Sequence, residues 1–415
     1  MLRAGQTSSG VPDRLDATVI RLAMVMALGA GASALDTTIV AVALDRIGAQ
    51  FHVGVATVQW VSTAYLLAIA VVLPVTGWAV DRFGARRMWL LALGLFLAAS
   101  MLCGVAWSLW SLVMFRVCQG LGGGMIPPLA QTILVRAAGR ERIGRVMTAV
   151  SVPTQFAPVL GPVLGGIVVD ALDWRWVFYI NLPLCVTGIL LSRRLIPADA
   201  EPGSDRLDVL GLLLLSPGLA VTLYALTLVG AGGDQVPVLI GGLALLAGFA
   251  VRSFRVPRAG IAPLIDLRLL RSRTFGLVSL LMFLLGVSLF GTLFLLPLYY
   301  QQVRGAGPLQ AGLLLAPQGA GVVLALLVVG RLTDRIGARP VVLTGLVLAV
   351  LGTFAYAQAG SDPGTAVLTA SLLLRGLGLG AIGIPLVAAV YQAGLPASEV
   401  PRAASALNIF QRLGG

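Results

Sequence analysis

Gly77-Trp-Ala-Val-Asp81-Arg82-Phe-Gly84-Ala-Arg86 and Gly330-Arg-Leu-Thr-Asp334-Arg335-Ile-Gly337-Ala-Arg339 are one device met twice in the same chain. Each follows an apolar run and closes it with an acid, a glycine turn and arginines. Phe115-Arg116-Val-Cys-Gln-Gly120-Leu-Gly122 is echoed in the same way by Leu374-Arg375-Gly376-Leu-Gly378-Leu-Gly380. The offsets are 253 residues (77 to 330) and 259 residues (116 to 375). A repeat on this scale is the mark of a duplicated bundle, as in membrane chains built from two pseudo-symmetric halves. Six spans with their loops use about 200 residues, so the offset leaves room for one extra helix pair between the halves.

Composition agrees. Of 415 residues, 58% are apolar and 11% charged, against roughly 45–50% and 25% in a soluble domain. A mean hydropathy of +0.95 leaves an excess of apolar surface that only lipid can solvate, which excludes a soluble globular enzyme. Apolar runs predict twelve complete helices at 19–43, 57–80, 88–107, 109–135, 144–170, 177–192, 209–230, 236–251, 275–300, 311–330, 340–358 and 364–392, with a thirteenth starting near Arg402. The fold class is therefore all-α: a polytopic membrane protein of two pseudo-symmetric six-helix bundles with an extra pair between them. The expected units are 1–195 for the first bundle, 196–262 for the linker with the extra pair, and 263–415 for the second bundle, which is incomplete. Arg402 to Asn408 mirrors Arg145 to Ser151, so the chain stops within the counterpart of the fifth span, about forty residues short by the repeat spacing; a fragment is the favoured explanation.

The formal charge of +12 comes from 29 basic residues, all arginine. With the N-terminus cytoplasmic, 23 of them fall on that side, only Arg46, Arg175 and Arg304 on the other, and Arg116, Arg375 and Arg412 within spans. This is the positive-inside asymmetry, so the charge reports topology and not a nucleic-acid partner. Cys103, Cys118 and Cys185 sit in apolar runs and His52 is the sole histidine, so neither a disulfide nor a metal site is expected. A lysine-free chain holds no phosphate-binding Gly-x-x-x-x-Gly-Lys motif, which argues against an ATP-driven pump.

Asp36 is the only carboxylate deep in an apolar run. At a helix centre a charged aspartate costs about 2.5–3.5 kcal/mol on insertion scales, so an intramembrane acid is a functional candidate by default. Arg116 lies at a similar depth in the fourth span, counted from the same side, and is the expected electrostatic partner. Arg375 is its expected counterpart in the second half, with no acid to meet. The first repeated loop, through Gly77, Asp81, Arg82, Gly84, Arg86 and Arg87, can form salt bridges between bundles in one conformation and release them in another. The fifth span carries Pro153, Pro158 and Pro162 with Gly161, Gly165 and Gly166, a bent helix open to close approach. Trp60, Tyr65, Gln119, Gln131, Gln155, Phe156, Phe294 and Tyr299 are candidates to line a substrate pocket, where aromatic rings suit lipophilic or cationic ligands.

Taken together the chain resembles the major facilitator superfamily, in its fourteen-span drug:proton antiporter branch. The resemblance rests on Leu35-Asp36-Thr-Thr-Ile-Val-Ala-Val-Ala-Leu44, the Asp81 loop, Arg116 with its glycines, Ala157-Pro158-Val-Leu-Gly161-Pro162-Val-Leu-Gly165-Gly166, Trp174-Arg-Trp-Val-Phe-Tyr-Ile-Asn-Leu-Pro183 and Tyr299-Tyr-Gln-Gln-Val-Arg-Gly-Ala-Gly-Pro-Leu-Gln-Ala-Gly312. It implies proton coupling through Asp36 and Arg116, a conformational latch in the Asp81 loop, and, through Gly161 with Pro162, antiport in preference to import. It also implies no cofactor beyond a proton gradient. The expected partners are a lipophilic small molecule, protons and the bilayer of a bacterial cell membrane, with the chain acting as a monomer. Asp45 stands where proline is usual in the family and Ala41 where asparagine is frequent, so substrate preference is expected to differ from closer-matching relatives. A proton-coupled metabolite importer and a truncated, non-transporting membrane protein are the alternatives; inward accumulation abolished by an uncoupler would mark the importer.

Overall fold

The computed structural model describes residues 17–138, 146–148, 156, 160–161, 164–198, 206–228, 236–255, 261–262, 267–306, 308–357, 364–392 and 399–414. Its helices are α1 (Ala17–Phe51), α2 (Trp60–Phe83), α3 (Ala85–Gly104), α4 (Leu109–Ala138) and α5 (Asn181–Leu195) in the first half. The pair α6 (Val209–Leu228) and α7 (Val236–Arg255) follows. The second half contains α8 (Arg273–Leu298), α9 (Pro308–Ile336), α10 (Ala338–Ala357), α11 (Thr365–Gln392) and α12 (Val400–Gly414). Among the described residues ten helices are long and apolar enough to cross a membrane. Of the other expected spans, 144–170 lies largely outside the described residues and 209–230 is α6.

Packing repeats with the sequence. In the first half α2, α3 and α1 all lie against α4; in the second, α9, α10 and α8 lie against α11. Glycine makes this possible, because helices in lipid gain mainly from close van der Waals contact between backbones. A Cβ at Gly122 would come within 2.6 Å of the Phe96 nitrogen in α3, and one at Gly378 within 2.4 Å of the Ala349 nitrogen in α10. Gly120 and Gly124 press on Tyr65 and Ile69 of α2, as Gly376 and Gly380 press on Gln318 and Val322 of α9. Gly84 and Gly337, the turn residues of the two repeated loops, adopt φ of 92° and 85°, a region costly for any residue with a Cβ.

These contacts correct the register of the repeat. They pair Tyr65 with Gln318, Ile69 with Val322 and Phe96 with Ala349, each 253 residues apart, whereas Gly120, Gly122 and Gly124 pair with Gly376, Gly378 and Gly380 at an offset of 256. At 256 the counterpart of Arg375 is Gln119, not Arg116. The two arginines look equivalent in sequence, yet they stand on different positions of the shared helix frame.

The first span also runs further than 19–43. Asp45 and Arg46 end the apolar run but not the helix, which continues to Phe51 and stops at His52, whose φ of 53° breaks it. Charge marks where a helix leaves hydrocarbon, while backbone geometry marks where it ends. The sixth span divides into a short turn, Trp176–Tyr179, and α5. Beyond α5, Arg206–Leu207 and Ile261–Ala262 pair as two parallel strands that join the chain entering the extra helix pair to the chain leaving it. Above them Asp208 accepts hydrogen bonds from Arg252 Nε and Nη2 at 2.9 and 2.7 Å, tying α6 to α7. The pair rests on the first bundle through Ser216 Oγ, which donates to the Val71 carbonyl at 2.9 Å, and through the Trp60 and Tyr224 rings.

Candidate functional site

Asp36 sits at the centre of the first bundle with no exposed surface, and Arg116 reaches it from α4 while 1% exposed. Arg116 Nη1 donates to Asp36 Oδ2 at 2.5 Å and to Gln119 Oε1 at 2.7 Å, while its Nε donates to the Val61 carbonyl at 3.1 Å. Gln119 Nε2 and Asn181 Nδ2 each donate to Asp36 Oδ1 at 2.9 Å, and both also reach Ser100 Oγ. Ser100 in turn donates to the Phe178 carbonyl at 2.9 Å. Five chain segments thus converge on one carboxylate that accepts three hydrogen bonds. The Tyr65 ring lies 3.9 Å from the guanidinium carbon of Arg116 and covers its open face. Buried charges are tolerated only when paired and hydrogen-bonded, and this pair meets both conditions.

The cluster has a chemical consequence. Each oxygen of an ionised carboxylate only accepts, whereas a protonated one presents an O–H that must donate. A proton arriving on Asp36 would remove the charge that Arg116 neutralises and turn one acceptor site of the carboxyl into a donor, weakening the contacts with Arg116, Gln119 and Asn181. Asn181 Oδ1 is buried without a hydrogen-bond partner, an acceptor beside the acid that has no donor in the present arrangement.

The glycines of the fifth span support the same place. A Cβ at Gly161 would meet Thr38 Oγ1 at 2.0 Å and one at Gly165 would meet Ile39 at 3.0 Å, so that span abuts the two residues that follow Thr37 beyond Asp36. Gly166 has open space around it. Pro158, Pro162, Gln155 and Pro153 lie outside the described residues, as does the Phe294 side chain.

The pocket candidates do not form one group. Tyr65 and Gln119 belong to the Asp36 cluster, with Gln119 a direct ligand of the acid. Tyr299 meets Tyr300 and Tyr356 edge to face in the second bundle and accepts from Arg304 Nε at 3.2 Å. Trp60 faces Tyr224 of the extra pair, Gln131 accepts from Asn408 of α12 at 3.2 Å, and Phe156 is exposed. Arg375 donates to Thr353, Gln318 and Ser288, all neutral. In the repeated loop, Asp81 pairs with Arg402 of α12 at 3.1 Å, and a Cβ at Gly77 would touch the Arg402 backbone at 3.1 Å. Arg86 donates to the Arg193 carbonyl at 2.6 Å within the first bundle, and Arg82 and Arg87 are exposed.

Sequence reasoning missed Asn181, Ser100 and Arg402. Asn181 was legible only as a lone amide inside an apolar run, and Arg402 only as the first charged residue of the last span.

The family model of the Major Facilitator Superfamily matches residues 26–415. The chain belongs to this superfamily. It is 40% identical over its whole length to the multidrug resistance protein B homolog of Mycobacterium tuberculosis, covering 77% of that protein. It is 29% identical to the multidrug export protein EmrB of Haemophilus influenzae, covering 99% of this chain and 81% of that one. Among solved structures, the human organic anion transporter MFSD10 (TETRAN) superposes with a TM-score of 0.64 at 19% identity, over 96% of this chain and 90% of that one. The proton:xylose symporter XylE gives 0.63 at 14% identity, over 95% and 86%. These likenesses establish the fold of a multi-pass membrane transporter of small molecules.

Proposed function

We propose that the chain is a proton-coupled antiporter that exports lipophilic, drug-like or secondary-metabolite compounds across a bacterial cell membrane, acting as a monomer with its N-terminus in the cytoplasm. The single observation that carries the coupling is Asp36, a fully buried carboxylate held by Arg116 at 2.5 Å. The direction of transport draws support from the multidrug resistance and export proteins to which the chain is similar along its length.

A proton on Asp36 cancels the charge that holds Arg116 and converts an acceptor into a donor. Arg116, also bonded to the Val61 carbonyl of α2, then re-sorts its contacts between α1, α2 and α4. That re-sorting alters how the first bundle's helices meet and biases it between its two orientations relative to the second. The Asp81–Arg402 pair, which joins α2 to α12, opens in one of these states and closes in the other. No cofactor enters this scheme: the proton gradient supplies the energy, and Asp36 is where the proton resides in transit.

Drug accumulation in a pump-deficient host tests the proposal. Cells expressing the full-length gene should hold less of a lipophilic drug than cells without it, and Asp36→Asn should restore accumulation although the variant still inserts. Equal accumulation with and without the gene across a broad panel would remove the proposal's support.

A further inference from the structure

Arginine is not spread evenly over the side of the membrane that carries the repeated loops. The stretch from Arg252 to Arg273 holds six arginines, at 252, 255, 258, 268, 271 and 273, against one acid, Asp266. No other connection on that side has more than four. Positive-inside topology accounts for basic charge beside each span, but not for its concentration at the one joint between the extra helix pair and the second bundle. Arg258 and Asp266 lie outside the described residues; the other five arginines are placed.

α7 ends at Arg255, a short 3-10 helix covers Leu267–Arg271, and α8 starts at Arg273. Three residues per turn place Arg268 and Arg271 on one edge of the 3-10 helix, while Leu267, Leu269 and Leu270 are half-buried against the core. Arg268 Nη2 donates to the Phe254 carbonyl at 3.1 Å, which seats the 3-10 helix on the C-terminal end of α7. The Arg271 guanidinium carbon lies 5.8 Å from the centre of the Phe254 ring. Arg252 is engaged by Asp208 at 2.7 Å, whereas Arg255, Arg271 and Arg273 are exposed. Apolar surface begins directly beside them: Val251 and Phe254 near the end of α7, and Leu277 and Leu280 near the start of α8, are all exposed. In helices that cross a bilayer such side chains face acyl chains. The joint therefore offers guanidinium forks, which match phosphate oxygens, at the rim of a lipid-facing apolar surface.

We infer that this joint is a binding site for an anionic phospholipid, with Arg255, Arg271 and Arg273 supplying the charge that holds its headgroup and Val251, Phe254, Leu277 and Leu280 meeting its chains. Basic clusters immediately outside a span attract anionic headgroups in this way. The apolar half of the site is what selects a lipid over a soluble phosphate, which could use only the arginines. The bound lipid touches the end of α7 and the start of α8, and so fastens the extra pair to the second bundle. The inference is independent of the cargo and of the direction of transport.

The test is lipid binding to the full-length protein in an uncharged detergent, titrated with phosphatidylglycerol or phosphatidylcholine of matched chains and read by native mass spectrometry. Phosphatidylglycerol should bind the more tightly. Each of Arg255→Gln, Arg271→Gln and Arg273→Gln should weaken it about fivefold, the equivalent of about 1 kcal/mol, and the three together should bring it down to the level of phosphatidylcholine. The same three positions changed to lysine should keep most of the preference. A control carrying Arg331→Gln, Arg335→Gln and Arg339→Gln loses as much charge from exposed positions on the second repeated loop and should keep the preference in full. Three outcomes would overturn the inference: equal affinity of the native chain for the two lipids, an equal loss in the two triple variants, which would mean diffuse attraction to topogenic charge, or glycerol phosphate bound as tightly as phosphatidylglycerol, which would mean a site for a soluble anion.

Discussion

The two halves share a frame and differ at its centre. In the first, α4 presents Gln119 between Asp36 and Ser100; in the second, α11 presents Arg375 between Ser288 and Thr353. Ser100 and Thr353 are related by the same 253-residue offset that relates the surrounding helices, and Gln119 and Arg375 by the 256-residue offset of the glycine row. The first centre has an acid, with its arginine three residues earlier on the helix. Among the described residues the second has an arginine and no acid. Duplication thus kept the backbone contacts that let helices touch and gave the two copies different chemistry. Among the described residues, only the first centre offers a carboxylate to a proton.

The largest effect is expected from breaking the first centre. Arg116→Gln leaves Asp36 buried without its counter-charge, which should cost about 3–5 kcal/mol and appear as a lowered unfolding midpoint in detergent, with loss of gradient-driven efflux. Arg375→Gln removes a cation that has no ionic partner, so its loss of stability should be smaller. Equal losses would show that the centres are not different in kind.

The shared frame is tested by Gly122→Ala and Gly378→Ala. Each adds a methyl where a neighbouring backbone lies within 2.6 or 2.4 Å, and overpacking of this sort costs about 1–3 kcal/mol. The two variants should be destabilised alike, and a silent Gly378→Ala would mean that the second half does not use the row as the first does.

Ser288→Asp sharpens the contrast by supplying the acid the second centre lacks, 2.8 Å from Arg375 Nη2 in the parent chain. Purified protein should then take up one further proton on acidification, read with an indicator dye. No added uptake would show that the second centre cannot host a proton even when given a site. The smallest effect on stability is expected from Asp81→Asn. Both members of that pair are 17% exposed and so keep some of the solvation that Asp36 and Arg116 have lost; its consequence should be read chiefly in transport rate.

Much of this was legible in the sequence. Apolar runs placed the spans, the duplicated loops placed the halves, and depth along the helices brought Asp36 and Arg116 together, because both effects follow from composition and from rise per residue. The partners of the acid were harder. Asn181 and Ser100 are single polar residues among apolar ones, and only a converging geometry tells a ligand of a carboxylate from a side chain bonded to its own helix. Gln119 reads equally well as pocket lining. The register of Arg375 was lost by anchoring on the arginine; the Gly-x-Gly-x-Gly row carries the better alignment, since backbone contact tolerates no shift whereas a long side chain does. Arg402 meets Asp81 across 321 residues of chain, beyond the reach of any local pattern.

In the proposed cycle the proton travels on Asp36. Its most direct test is proton movement in proteoliposomes holding the full-length protein, followed by an external pH dye when substrate is added on one side under an imposed pH gradient. The native protein should move protons in exchange for substrate, and Asp36→Asn should bind substrate yet move none. Proton movement by Asp36→Asn at the native rate would place the proton elsewhere.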